Sequence, residues 1–237
     1  ITIIQGARQA GKSTLAAMVA AGAPEVVSVT LDDPAVLAVA ESDPVFFVEQ
    51  AGQGLLVIDE AQRAPGLILP LKASVDRDRR PGRFLLTGSA DLLQVKGVGD
   101  SLAGRAETIE LLPLSQGELS RRATPEDFVA WIMAGTASGT FSAIEPDTIV
   151  RGGYPEAVQR TANRAARWFD AYIERLADHD ARGLQQGGYA DHMRTLLRLI
   201  AAGGQAEIIK AKLARTIGVS ENSVEADLRL ASTMRLP

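Results

Sequence analysis

The sequence contains no cysteine. Disulfides, thiolate zinc sites and cysteine nucleophiles are therefore excluded, and the absence is compatible with a reducing cytosol. Histidine is nearly as scarce: His179 and His192 are the only two. Their spacing fits no metal-ligand pattern, so both read as structural or surface residues. No apolar run approaches the ~20 residues that span a bilayer, and no signal-peptide pattern opens the chain. A soluble cytoplasmic protein with no membrane partner is expected. Charge of one sign is lacking too. A net charge of −4 over 237 residues argues against wholesale coating of nucleic acid, although not against a local basic face. An initiator Met is absent, Ile1 already lies inside an apolar strand pattern, and Leu236-Pro237 directly follows a helical pattern. The sequence thus reads as a piece of a longer chain. What remains is ordinary globular composition, 46% hydrophobic and 23% charged, sufficient for one large domain or two small ones.

The most informative stretch is Gly6-Ala7-Arg8-Gln9-Ala10-Gly11-Lys12-Ser13. It fits G-x-x-x-x-G-K-[ST], with the apolar run Ile1-Thr2-Ile3-Ile4 before it and the helical pattern Thr14-Leu15-Ala16-Ala17-Met18-Val19-Ala20 after it. Strand, glycine-bounded loop and helix are the context this motif requires. The glycines let successive backbone N–H groups turn inward and form a nest for anionic oxygens, and the helix adds the positive end of its dipole. Gly6 to Thr14 are expected to hold a nucleotide, with Lys12 on the β/γ-phosphates and the Ser13 hydroxyl on Mg2+.

A second strand is expected at Val26-Val27-Ser28-Val29-Thr30-Leu31, closed by Asp32-Asp33-Pro34, where either Asp32 or Asp33 caps a short helix. Asp43-Pro44 repeats that signal. Leu55-Leu56-Val57-Ile58 then runs into Asp59-Glu60. Four consecutive apolar residues suggest a strand buried on both faces of a parallel sheet. Two carboxylates at its end are costly unless they act there or reach solvent. Beside a phosphate loop they read as a Walker B pair: Asp59 in the Mg2+ shell, Glu60 polarising the water that attacks the γ-phosphate. A helix is expected from Pro65 through Leu67, Ile68, Leu71 and Val75, ending in Asp76-Arg77-Asp78-Arg79-Arg80 as a solvated helix end. Arg83-Phe84-Leu85-Leu86-Thr87-Gly88-Ser89 reads as another strand whose C-terminal end lies beside the γ-phosphate. Either Thr87 or Ser89 is then placed to hold the lytic water or sense the phosphate, while Ser89 serves equally well as a helix cap. Residues 96–100 resemble a flexible loop, and Thr108-Ile109-Glu110-Leu111-Leu112 a further strand. Arg105 is either a charge on a helix end or a group that approaches a γ-phosphate, in its own subunit or a neighbour's.

Beyond this the chain turns helical. The run Ala134-Gly135-Thr136-Ala137-Ser138-Gly139-Thr140 marks a loop or linker. Three segments are therefore expected: an ATPase domain over 1–120, a connection over 121–150 and a helical domain over 151–237. Gly152-Gly153-Tyr154-Pro155 is a turn into a helix. Trp168, Phe169, Tyr172, Ile173 and Leu176 form one apolar helical face, and Met193, Leu196, Leu197 and Ile200 another. Two short helices joined by Thr216-Ile217-Gly218-Val219-Ser220 match a helix-turn-helix. The second of them carries Glu221, Glu225 and Asp227, and carboxylates facing phosphates oppose DNA binding. A packing or protein-interaction module is favoured over a DNA reader, despite the basic first helix.

Taken in order, these elements make the chain resemble a family of prokaryotic AAA-type ATPases related to the archaeal ATPase clade. The matching pieces are the phosphate loop, Leu31-Asp32-Asp33-Pro34, Ile58-Asp59-Glu60-Ala61-Gln62, Leu86-Thr87-Gly88-Ser89, Ser101-Leu102-Ala103-Gly104-Arg105, Leu112-Pro113-Leu114-Ser115, Gly152-Gly153-Tyr154-Pro155-Glu156 and the helix-turn-helix. The resemblance implies an α/β fold: an AAA-like parallel sheet with helices on both faces and adjacent Walker strands. An all-α extension with a winged helix-turn-helix would follow, then a nuclease-like domain that lies beyond this sequence. Where the family has an Arg-Asp pair, Ala177-Asp178-His179-Asp180 departs from it, and no role is carried onto those residues. The expected function is Mg2+-dependent ATP binding and hydrolysis coupled to rearrangement of the helical half, with a homo-oligomer or a protein client as partner. The alternative is a nucleotide-gated DNA-binding or interaction switch with little turnover. Glu60 favours hydrolysis, and GTP specificity is disfavoured because no Asn-Lys-x-Asp or Thr-Lys-x-Asp element occurs.

Overall fold

A computed structural model describes residues 1–88, 102–120, 133, 146–175, 190–204 and 207–233. Ser89, the stretch 96–100, the run 134–140 and residues 177–180 with His179 lie outside the described residues, as does the side chain of His192. Five parallel strands form one sheet: β1 (Thr2–Gln5), β2 (Val26–Thr30), β3 (Leu55–Asp59), β4 (Phe84–Gly88) and β5 (Glu107–Glu110), in the order β2-β3-β4-β1-β5. The Walker strands are therefore not adjacent, contrary to the expectation from family resemblance. β4 lies between them, with Leu86 paired to Ile3 on one side and Ile58 on the other. All three side chains are fully buried, which is what a run of consecutive apolar residues requires of an interior parallel strand.

The side-chain period of two sorts these strands into two cores. Ile3, Leu56, Ile58, Phe84 and Leu86 face one side and join Phe47, Leu67, Leu71 and Leu102. Ile4, Leu55, Val57 and Leu85 face the other and join Ala16 of helix α1 (Lys12–Ala20). Helices α2 (Pro34–Ser42) and α3 (Pro44–Glu49) start as read from the sequence: Asp33 accepts from Ala35 N at 2.8 Å and Asp43 from Phe46 N at 2.9 Å. The helix expected at Pro65 begins as a short 3-10 turn (Pro65–Leu67), and the α-helix proper, α4, is Ile68–Arg77. Pro70 falls in its first turn, where a missing N–H is tolerated.

The charged run at the end of α4 is solvated as expected: Asp76, Arg77, Arg79 and Arg80 are exposed and Asp78 is half-buried. Arg83 is buried and donates to the Ser74 carbonyl and the Asp78 carbonyl at 3.0 Å each and to Ser74 Oγ at 2.8 Å. Arg80 Nε donates to Asp78 Oδ2 at 2.8 Å. A buried guanidinium must find acceptors, and the last turn of α4 with its C-cap Asp78 supplies them.

The chain divides into two compact units, residues 1–111 with 173–237, and residues 112–172. The second contains α5 (Gln116–Leu119), opened by a Ser115/Glu118 capping box, and α6 (Pro146–Arg151), α7 (Pro155–Val158) and most of α8 (Ala162–Arg175). Tyr154, Trp168, Phe169 and Tyr172 pack as one aromatic cluster with ring centroids 5.0–6.0 Å apart. In the first unit α9 (Ala190–Gly203), α10 (Lys210–Ile217) and α11 (Glu221–Thr233) meet around Leu196, Ala214 and Val224. Two of the three acids on α11 differ from the sequence reading. Glu225 accepts from Lys210 Nζ at 3.1 Å and Arg229 Nη2 at 2.6 Å, and these two hydrogen bonds, with the cations' fields, hold its carboxyl below the usual range. Asp227 is buried. Among the described residues no helix is long and apolar enough to cross a membrane.

Candidate functional site

At the C-terminal edge of the sheet, where ligands of open parallel sheets bind, β1 runs into Gly6 and α1 starts at Lys12. Two left-handed residues curl the intervening loop, Gln9 (φ 61°) and Gly11 (φ 106°); a glycine adopts the second without steric cost. Gly6 is demanded by contact. A Cβ there would stand 2.2 Å from the Leu111 carbonyl oxygen, because Leu111 N donates to Gln5 O at 2.7 Å and draws the chain after β5 across the base of the loop. Ala7 and Ala10 are buried, whereas Arg8, Gln9, Ser13 and Thr14 are exposed.

Lys12 is only 5% exposed. Its Nζ donates to the carbonyls of Gly6 (3.1 Å) and Ala7 (2.9 Å). Burial lowers its pKa, the nearby charges of Glu60 and Asp59 work against that shift, and Arg8 adds to it. The ammonium is thus folded onto the loop, with the Asp59 and Glu60 carboxylates in its field.

From β3, Asp59 receives two hydroxyls. Ser13 Oγ lies 3.0 Å from each of its carboxylate oxygens, and Thr87 Oγ1, at the end of β4, donates to Oδ1. Thr87 is fully buried and also accepts from Glu60 N at 3.4 Å. Glu60 is left-handed (φ 55°, ψ 43°) and opens the 3-10 turn Ala61–Arg63. Its Oε2 accepts from Gln62 Nε2. Lys12, Ser13, Asp59, Glu60 and Thr87, separated by as many as 75 positions in sequence, therefore belong to one connected group.

That group suits Mg2+ bound with phosphate. Mg2+ retains several waters and takes one or two carboxylates plus phosphate oxygens. Here one hydroxyl and one carboxylate face each other beside a helix N-terminus, and among the described residues no group of three or more His, Cys, Asp or Glu offers an all-protein cage. Neighbouring polar groups have local duties: Asp33 caps α2, and Asp32 pairs with Arg63 at 2.6 Å.

Arg105 is elsewhere. It precedes β5, whose first residue, Glu107, is in register with Thr2 at the start of β1. Its guanidinium grips Asp76 at 2.7 and 3.1 Å, and these hydrogen bonds keep the Asp76 carboxyl below the usual range. The length of β1 separates it from the phosphate loop, about 3.3 Å per residue, so the expectation that it approaches a phosphate in its own subunit is corrected. The sequence reading also passed over Gln62. Its proximity to Glu60 across a single intervening residue was the available signal, but only the left-handed turn reveals that the two side chains meet.

Residues 1–120 match the family described as AAA domain, and residues 145–236 match one described as Domain of unknown function (DUF8612). Uncharacterized protein Mb2031c of Mycobacterium bovis is 32% identical over 224 residues, covering 94% of this chain and 45% of the relative. Uncharacterized protein Rv2008c of Mycobacterium tuberculosis gives the same figures, 32% over 224 residues, 94% and 45%. The chain thus spans less than half the length of these relatives. Solved structures with a similar arrangement include a RuvB variant of Thermotoga maritima (20% identity, TM-score 0.42, covering 94% of this chain and 76% of that one). The Orc1 protein of Aeropyrum pernix in complex with DNA is another (12% identity, TM-score 0.37, covering 98% and 77%).

Proposed function

Because this chain belongs to the AAA domain family, we propose that it binds ATP with Mg2+ and hydrolyses it, coupling turnover to rearrangement of its helical half. The observation that carries this reading is the connected group Ser13–Asp59–Thr87–Glu60 facing the buried Lys12. Gly6 to Thr14 would cradle the phosphates with backbone N–H groups. Lys12 would exchange the Gly6 and Ala7 carbonyls for β/γ-phosphate oxygens, and Ser13 and Asp59 would hold Mg2+, which neutralises charge on those oxygens. Glu60 would orient the attacking water and accept its proton. Thr87, whose hydroxyl is spent on Asp59, would keep the end of β3 in place, and Ser89 remains a candidate for contact with the water.

Arg105 would act on a neighbouring copy's nucleotide. Its position at the opposite edge of the sheet supports this, as does the cavity of about 320 Å³ it lines with Arg79, Arg80 and Arg83. The reading takes the chain as part of a homo-oligomer in the cytoplasm, with an ATPase domain over 1–120, a connection over 121–150 and a helical domain over 151–237. A second reading, a nucleotide-gated DNA-binding module at α10–α11, is favoured by one observation: Glu225 is ion-paired and Asp227 is buried, so neither carboxylate faces a phosphate unscreened. Binding of a labelled duplex, lost in Lys212→Ala/Arg215→Ala, would support it.

ATP binding and turnover test the main reading. Lys12→Ala should abolish nucleotide binding, and Glu60→Gln should keep ATP bound while cutting hydrolysis to a small residual rate. Unchanged affinity in the first removes the site assignment; normal turnover in the second moves the base elsewhere.

A further inference from the structure

Glu60 is held through its backbone and through its side chain. Its N–H donates to Thr87 Oγ1 at 3.4 Å, its carbonyl accepts from Arg63 N at 3.0 Å, and its carboxylate Oε2 accepts from Gln62 Nε2. The third bond comes from a rigid base. Gln62 sits in the 3-10 turn Ala61–Arg63, and Ala61 and Ala64 anchor that turn in the hydrophobic core. Ala64 N also bonds Ala61 O at 3.2 Å. An ionised carboxylate only accepts, so the amide nitrogen of Gln62, not its oxygen, must face it. The left-handed backbone at Glu60 adds a further constraint, since few L residues occupy it without reason.

We infer that Gln62 is a positioning residue for hydrolysis: its amide N–H fixes the Glu60 carboxylate so that it meets the attacking water in one orientation. This rests on the hydrolytic reading above. In the step it serves, the water oxygen bonds to the γ-phosphorus as the bond to the ADP oxygen breaks. The water proton passes to the Glu60 carboxylate. Gln62 gains and loses no proton; it restricts where the acceptor sits. Misplacement of a reacting group by about 1 Å costs on the order of 100-fold in rate, and loss of a partner that orients a metal ligand, a comparable supporting role, costs about 10–100-fold.

The test uses the chain as given, with MgATP. Gln62→Met keeps the length of the side chain and removes the N–H; Gln62→His restores a donor. The expected result for Gln62→Met is a kcat lowered about 10–100-fold with KM changed by no more than about twofold, the signature of an interaction used in the transition state. Its melting temperature and ATP affinity should stay at the wild-type level, and Gln62→His should regain part of the rate. In a Glu60→Gln background, Gln62→Met should lower the residual rate no further, because the two act as one unit. Wild-type kcat in Gln62→Met overturns the inference, as does a raised kcat, which would make Gln62 a restraint. An equal loss in the Glu60→Gln background overturns it too. If Gln62→Met melts early, Gln62→Ala and the His rescue carry the same comparison. A wild-type chain that binds but never hydrolyses MgATP removes the hydrolytic reading and this inference together; a wild-type chain that turns over beside an indifferent Gln62→Met removes this inference alone.

Discussion

Thr87→Val tests whether the hydroxyl at the end of β4 ties the Walker B strand together. The side chain is fully buried, donates to Asp59 Oδ1 and accepts from Glu60 N at 3.4 Å. Valine keeps the shape and removes the hydroxyl, which is not a neutral exchange in a packed interior. A hydrogen bond to a charged group contributes about 1.5–3 kcal/mol, and an N–H left without its acceptor adds about 1 kcal/mol here, because the contact is long. The loss is then about 2.5–4 kcal/mol, or about 5–16 °C in melting temperature at about 2–4 °C per kcal/mol for a chain of this size. Thr87→Ser keeps the hydroxyl and gives up one methyl, about 1 kcal/mol, so it should melt only about 2–4 °C below wild type. Thermal melts without nucleotide measure both; MgATP turnover should then fall further in Val than in Ser. A Val variant that melts as high as the Ser variant would refute the reasoning, because it would show that the hydroxyl bonds contribute nothing.

Arg105→Ala should leave ATP affinity unchanged and lower turnover, and wild-type specific activity should rise with protein concentration. Mixing Arg105→Ala with Lys12→Ala chains should restore activity, since one supplies an intact cradle and the other the arginine; a concentration-independent rate with no recovery would exclude the role in a neighbour. On the acid side, Asp76, Asp78 and Glu225 are held below their ordinary values by hydrogen bonds and nearby cations, and Glu118 by its hydrogen bonds with Ser115. Groups shifted in that direction stabilise the fold above their unfolded values and lose the contribution as pH falls through the lower folded ones. Melting temperature should therefore hold from pH 7 to about 5 and drop below about 4, and Glu225→Gln should show a smaller drop than wild type in the same melts.

Much of the proposed nucleotide site is legible in the sequence because it is local. The phosphate loop, the apolar run ending in Asp59-Glu60, and the Asp33 and Asp43 caps each need only a few consecutive residues to declare themselves. What is not legible depends on residues far apart. Nothing near residues 84–88 says that this strand inserts between β1 and β3; the burial of Leu86 between Ile3 and Ile58 settles it. Arg105 looks free to reach its own chain's phosphate loop until it is found beside Asp76, 29 residues earlier, at the start of the strands and not at their C-terminal ends. The acids of α11 look alike in sequence, but Lys210 and Arg229 claim Glu225 whereas Asp227 is buried. Gln62 is the exception, a local contact that went unread because a left-handed turn at a glutamate is not written in its neighbours.

That turn also sets stability against activity. A non-glycine residue kept left-handed costs on the order of 1–3 kcal/mol, and glycine escapes the cost. At position 60 the backbone and the chemistry thus favour different residues. Passaged for heat resistance alone, with no demand for turnover, a population of this gene would accumulate glycine at position 60. Its survivors would be sturdier and inert, and their common ancestor would be recoverable only by reimposing selection for hydrolysis.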